Sequence, residues 1–320
     1  MRILLTGAGG FLGKAMFDYL SQHLGADDQI HATYRFSEHR RRRRTGDAPV
    51  VVPHQVDLES RIEVEWAMRS ARPDVVFHLA ADSSNKHERV QEKVRTNVLG
   101  TAHLLEYAPA GCRFVLASSA TVYGDNTKEF DLYTSGGQEG FRLLRPTSVY
   151  GATKVAAEVL LEAYCALGRV GGVSCRLVAQ VGPGATHGLL RDVVHKLRSD
   201  EPVLNLLGDS PGSVKPFMHV CDTSAALFAF GTQCRTESYE VMNVSPGDSL
   251  SVLEVARIAM RELGREKEIV WHPHAVWPGD NPLVYVSNRL MQLDGRVRNR
   301  PMSSAEAVAQ AVRDMMQEGS

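Results

Sequence analysis

"LLTGAGGFLGK", residues 4–14, decides the fold. A short apolar run, residues 2–6, stops at Gly7, and Gly10 and Gly13 follow before a stretch with helical spacing. Three bare backbones at these intervals answer three needs. One makes a tight turn, one lets a pyrophosphate approach, and one lets a helix pack closely on a sheet, with the helix N-terminus facing the phosphates. Gly7, Gly10 and Gly13, with Phe11 and Leu12 between them, are therefore the expected dinucleotide contacts.

Working outward, "QIHATYR" (29–35), "HQVDL" (54–58), "PDVVFHLAA" (73–81) and "CRFVLASSA" (112–120) read as strands, followed by "GGVSCRLVAQVG" (171–182). Between them "ESRIEVEWAMRSA", "VRTNVLGTAHLLEYA" and "RPTSVYGATKVAAEVLLEAY" read as helices. Strands alternating with helices of this length predict a doubly wound parallel α/β sheet of Rossmann type. The alternation fails after about residue 180. Residues 1–178 are read as the dinucleotide-binding part, with a later strand near 215–245 returning to it, and 179–320 mainly as a smaller substrate-binding α/β cap.

The bulk numbers narrow the class. Net charge is −1 over 320 residues, with 43% hydrophobic and 23% charged, so no global field argues for nucleic acid or an anionic membrane. Five scattered cysteines without CxxC pairs suggest reduced thiols. With no leader-like start and no apolar run of membrane length, the expected location is cytoplasmic. The arginine run Arg40–Arg44 reads as a solvated loop or an anion contact.

The usual dinucleotide site ends its second strand with an acid. Here Tyr34 stands there and Arg35 follows, which suits a 2′-phosphate and points to NADP ahead of NAD. Asp57, before Leu58, is a candidate adenine contact. In the helix beginning near residue 147, Val155, Val159, Leu160 and Ala163 recur at helical spacing and predict a buried face. Tyr150 and Lys154 are four apart on one helix face. A nearby ammonium lowers a phenol's pKa, so Tyr150 could take a proton from an alcohol. Ser118 and Ser119 end a strand at the edge where open parallel sheets bind ligands.

"TGAGGFLG", "HLAA", "TNVLGT", "SSATVYG" and "YGATK", in this order and at these separations, resemble the extended short-chain dehydrogenase/reductases, and within them the NAD-dependent epimerase/dehydratase branch. The resemblance implies Tyr150 as acid/base, Lys154 on the nicotinamide ribose, and Ser119 on the substrate oxygen. It places Leu79, Ala80, Ala81, Asn97 and Ser118 along the cofactor. It also implies a homodimer built on the helices around 94–108 and 147–166. Family 4,6-dehydratases carry Asp-Glu after the serine, and decarboxylases usually a Glu. Ala120 and Thr121 stand here, a pattern similar to UDP-galactose 4-epimerases, which implies a nucleotide sugar as the substrate. Thr121, Gln180, Arg191 and Lys215 are the further substrate-binding candidates. Ala179 replaces the family asparagine, Lys215-Pro216 stands where an arginine is usual, and Ala275 and Val276 precede "WPGD" without one. His187 or His274 could help rebuild an anion site. A keto-sugar or ketone reductase, and a cofactor-sensing protein without catalysis, are the competing readings. His219 and Asp222 in "HVCD" are not read as a metal site or a triad.

Overall fold

The computed structural model describes residues 1–35, 47–84, 89–124, 144–233, 238–273, 284 and 286–317. The arginine run 40–44, Cys234, His274, Ala275 and Val276 lie outside the described residues. Seven strands form one parallel sheet: β1 (Arg2–Thr6), β2 (Gln29–Tyr34), β3 (Val50–Gln55), β4 (Val75–His78), β5 (Cys112–Ser119), β6 (Val170–Leu177) and β7 (Tyr239–Val244). Their order is β7-β6-β5-β4-β1-β2-β3. The order reverses between β1 and β4, so a crevice opens there at the carboxyl ends of the strands.

Side chains on a strand alternate between faces, and two cores follow from this. Ile3, Leu5, Phe77 and Val115 point to one face, where they pack with Met16 and Leu20 of α1 (Phe11–His23) and with Leu227 and Phe230 of the helix Val220–Gln233. Leu4, Val76, Phe114 and Leu116 point to the other. There they meet Val64 and Met68 of α2 (Arg61–Ala71), Leu104 and Leu105 of the helix Gly100–Glu106, and Leu161 of the helix Val149–Ala166. Helices thus cover both faces, the condition for a parallel sheet. β3 spans Val50–Gln55 rather than starting at His54. It is the edge strand, where Pro53 can be tolerated.

A third core lies at the carboxyl edge. Val193, Val194, Leu197, Val255, Ala259 and Val308 are its centre, drawn from the helices Leu189–Arg198, Val252–Leu263 and Ser304–Gln317, and Phe11 packs against it. Three two-stranded ribbons accompany these helices. Among the described residues, no helix is long and apolar enough to cross a membrane.

Candidate active site

The glycine loop meets the end of β4. Gly7 has φ +71°, and a Cβ there would lie 2.8 Å from backbone atoms of Ala80. A Cβ on Gly13 would lie 1.9 Å from the Gly7 carbonyl oxygen. Neither position admits another residue without moving backbone. Gly10 caps α1 with no side-chain hydrogen bond, and the first turn of α1 carries no acid. Its uncapped N–H groups therefore suit an anion. Around them opens a cleft of about 1640 Å³ that holds Gly7, Gly10, Arg35, Asp57, Leu58, Leu79, Ala80 and Ala81 in one lining. Bare glycines, an uncapped helix start and this volume fit a dinucleotide.

The second half of the site comes from β5 and the helix Val149–Ala166. Ser148 caps that helix by accepting a hydrogen bond from the Gly151 N–H at 3.0 Å, which places Tyr150 and Lys154 in its first two turns. The Lys154 ammonium donates to the Ala117 carbonyl at 2.7 Å and lies 5.8 Å from the centroid of the Tyr150 ring. Burial pushes the Tyr150 phenol up to about 12, against a hydrogen bond with Ser119 that lowers it. Burial pulls Lys154 down to about 8, opposed by the Glu158 carboxylate. The sequence-based expectation of a lowered phenol is therefore not met by the protein's own groups: desolvation outweighs them. Thr121 donates its hydroxyl to Ser119 at 3.0 Å.

Other expected contacts have other partners. Ser118 is buried and gives its hydroxyl to Glu158. Asn97 is 2% exposed and sits in a π-helical turn, Arg95–Leu99. Its amide donates to the Asp82 carbonyl at 3.1 Å and to Thr153 at 3.0 Å, so it ties the loop after β4 to the Tyr150 helix. Gln180 is committed within the chain: its amide donates to Val178 and its oxygen accepts from Thr223 at 2.6 Å. Arg191 is exposed on its helix, and Lys215 is half-buried in the short strand Val214–Lys215. Phe11 and Leu12 face the cores rather than the cleft lining. His187 is exposed beside Thr186. His219 is held by Asp314 at 3.0 Å, and Asp222 accepts from the Met302 N–H. Among the described residues no group of three metal-ligating side chains occurs.

Sequence reasoning missed several groups. Asp82 and Arg89 line the cleft. His78, kept neutral by burial with a pKa pulled to about 3, bridges Thr6 at 2.8 Å and Thr101 at 2.9 Å. The buried pair Glu158–Arg176, both 3% exposed, stands directly behind Ser118. A polar residue inside an otherwise apolar strand was the only available sign for His78 and Arg176.

A glycine loop opening a parallel sheet, with a lysine four residues after a tyrosine and a serine beside the phenol, defines an extended short-chain dehydrogenase/reductase. A model of the NAD dependent epimerase/dehydratase family matches residues 3–245, and the chain belongs to that family. It is 28% identical to a dTDP-glucose 4,6-dehydratase of Neisseria gonorrhoeae, over 83% of this chain and 79% of that one. Among solved structures, a UDP-galactose 4-epimerase is 29% identical, with a TM-score of 0.77 over 99% of both chains. The enzyme MoeE5 in complex with UDP-glucose and NAD is 26% identical, with a TM-score of 0.81 over 100% of both chains. These likenesses establish an NAD-dependent enzyme family; they lend no support to the preference for NADP read from Arg35.

Proposed function

We propose that the chain is a nucleotide-sugar 4-epimerase that retains NAD. The observation that carries the reading is the turn after Ser119. Ala120 is buried and Thr121 gives its hydroxyl to Ser119, so this turn offers one phenol–hydroxyl couple and no carboxylate. Eliminating water needs a further acid and base beside the redox step; inverting one carbinol carbon does not. Tyr150 takes the proton of the sugar hydroxyl when the carbinol is oxidised and returns it after the keto sugar has turned over in the site. Ser119 holds the reacting oxygen, and Lys154 holds the ribose and supplies charge. Gly7, Gly10 and the first turn of α1 hold the pyrophosphate, with Asp57 and Leu58 at the adenine end. When bound, the oxidised nicotinamide supplies the hydride acceptor and one positive charge.

Retention of NAD rather than NADP draws support from Arg35. Its guanidinium lies 3.8 Å from the Glu59 carboxylate, so a 2′-phosphate there would meet a carboxylate as well as a cation. Mass spectrometry of the dinucleotide released from purified protein, followed by a panel of nucleotide sugars, tests the whole reading. Stoichiometric NAD with isomerised sugar is the expected result. Consumption of added NADPH with a reduced sugar would replace it by the reductase.

The same reading includes a homodimer. Val90, Val94, Leu99 and Val159 are 43%, 44%, 42% and 56% exposed on packed neighbouring helices, an apolar face that a second copy would cover. Sedimentation of the wild type is expected to show a dimer, and Val159→Asp a monomer. A monomeric wild type would end this part of the proposal.

A further inference from the structure

Glu158, Arg176, Tyr123 and Asn243 form a polar network that the epimerase reading does not use. It starts on the helix Val149–Ala166, where Tyr150, Lys154 and Glu158 succeed one another at intervals of four. Lys154 is bonded to Ala117, and Glu158 accepts the hydroxyl proton of the next residue, Ser118. Two successive turns of the helix thus grip two successive residues of β5, immediately before Ser119. Arg176 of β6 closes on the far side of Glu158. Its Nη2 donates to Oε2 at 2.7 Å and its Nε to Oε1 at 3.0 Å. Arg176 Nη1 then donates to the Tyr123 hydroxyl at 3.0 Å, and Tyr123 donates to Asn243 of β7 at 2.6 Å. The Asn243 amide ends the chain on the Ser287 carbonyl at 3.0 Å.

Tyr123 closes the 3-10 turn Ala120–Tyr123 that begins at Ser119. Ser119 therefore has a clamp on each side, Ser118 before it and Tyr123 after it, and both clamps end on the Glu158–Arg176 pair. A buried ion pair gains little net stability over apolar packing, because desolvation offsets the attraction. Its orientation of neighbouring hydroxyls is the more specific consequence here.

We propose that Glu158 and Arg176 form a positioning pair for the reacting groups: together they set the register of the Tyr150–Lys154 helix on β5 and the place of the Ser119 hydroxyl. This rests on the reading of Tyr150, Lys154 and Ser119 as the reacting set. Glu158 is also the countercharge of Lys154. Facing Lys154 are Tyr150 and Glu158 from its own helix and neutral His78 from β4. Facing Glu158 are Ser118, Arg176 and, from β7, Tyr239. Removing the carboxylate takes away the charge that opposes burial at Lys154, so the ammonium is disfavoured.

Two variants test the pair. In Glu158→Gln, Lys154 is expected to titrate at least ~1 pH unit lower, followed by ¹³C NMR of ε-labelled lysine with Lys154→Met for assignment. Its kcat should fall about 10-fold at unchanged KM, with the alkaline limb of kcat moving down in step, and Glu158→Asp should restore part of both. Tyr123→Phe removes one hydroxyl and should lower kcat about 5- to 10-fold without moving the Lys154 titration. Folded variants with wild-type kcat and wild-type Lys154 titration would overturn the proposal; lowered melting temperature alone would mark a merely structural pair and also overturn it. Should Glu158→Gln not fold, Tyr123→Phe decides. Should the wild type act on no sugar, the epimerase reading fails separately, and the Lys154 titration in Glu158→Gln still decides for or against the pair.

Discussion

Tyr150→Phe is expected to lower turnover by about 1,000-fold or more, while the protein should still purify with its dinucleotide. The phenol is half-buried in the first turn of its helix, and burial pushes its pKa up to about 12, which keeps it protonated at neutral pH. In that state it can donate to a carbonyl oxygen. To accept a proton it must become phenolate, and the cation beside it is Lys154, 5.8 Å from the ring centroid. Ser119 cannot substitute, because a hydroxyl is a far weaker acid than the phenol it bonds. Phenylalanine keeps the ring and its packing, so the glycine loop, the α1 N-terminus and Lys154 remain for the dinucleotide. Single-turnover assays beside a dinucleotide assay of the purified variant separate the two effects. Turnover within about 10-fold of wild type would mean that another group moves the proton. Joint loss of turnover and dinucleotide would mean that Tyr150 holds the cofactor rather than the proton.

How much of this site was legible in the sequence depends on the range of the forces involved. The glycine loop was legible because its demand is local: backbone at Gly7 and Gly13 has no space for a Cβ. The Tyr150–Lys154 pair was legible because four residues on a helix is a fixed geometry, and Ser148 supplies the cap. The buried face of the same helix is not the one its hydropathy predicts. Val155, Val159, Leu160 and Ala163 were the expected stripe, yet Val159 is 56% exposed, and Lys154, Ala157, Glu158, Leu161 and Cys165 are buried instead. Hydropathy puts charges outside. Glu158 is inside because Arg176, on a strand 18 residues away, satisfies it, and pairing across that distance leaves no local periodicity. The π-helical turn at Arg95–Leu99 was likewise invisible, since its extra residue is set by Asn97 reaching both Asp82 and Thr153.

Lys154→Met should inactivate the enzyme and loosen the dinucleotide, yet leave the cofactor-free protein at least as stable as wild type at pH 7. The ammonium is 3% exposed, and burial lowers its pKa from 10.5 to about 8. At pH 7 the lysine is charged whether folded or unfolded, so that depression is a cost of folding, about 3 kcal/mol at ~1.4 kcal/mol per unit. The sign follows from proton binding. Between about pH 8 and 10.5 the unfolded chain binds more protons than the folded one, so wild-type stability rises across that window. The penalty is complete below pH 8 and gone above 10.5. Methionine fills similar space without a charge, and its main cost is the Ala117 carbonyl left without its donor, on the order of 1 kcal/mol. The variant should therefore equal or exceed wild type at pH 7 and lose the advantage as pH approaches 10.5. The comparison needs dinucleotide-free protein, because retained ligand stabilises only the form that binds it. Denaturant midpoints at pH 7 and pH 10 give the test. A variant several kcal/mol weaker at pH 7, with the wild-type pH slope intact, would show that Lys154 holds the fold together. The expected outcome is the reverse, in which the site keeps a buried charge that the fold would be more stable without, because the proton transfer at Tyr150 requires it.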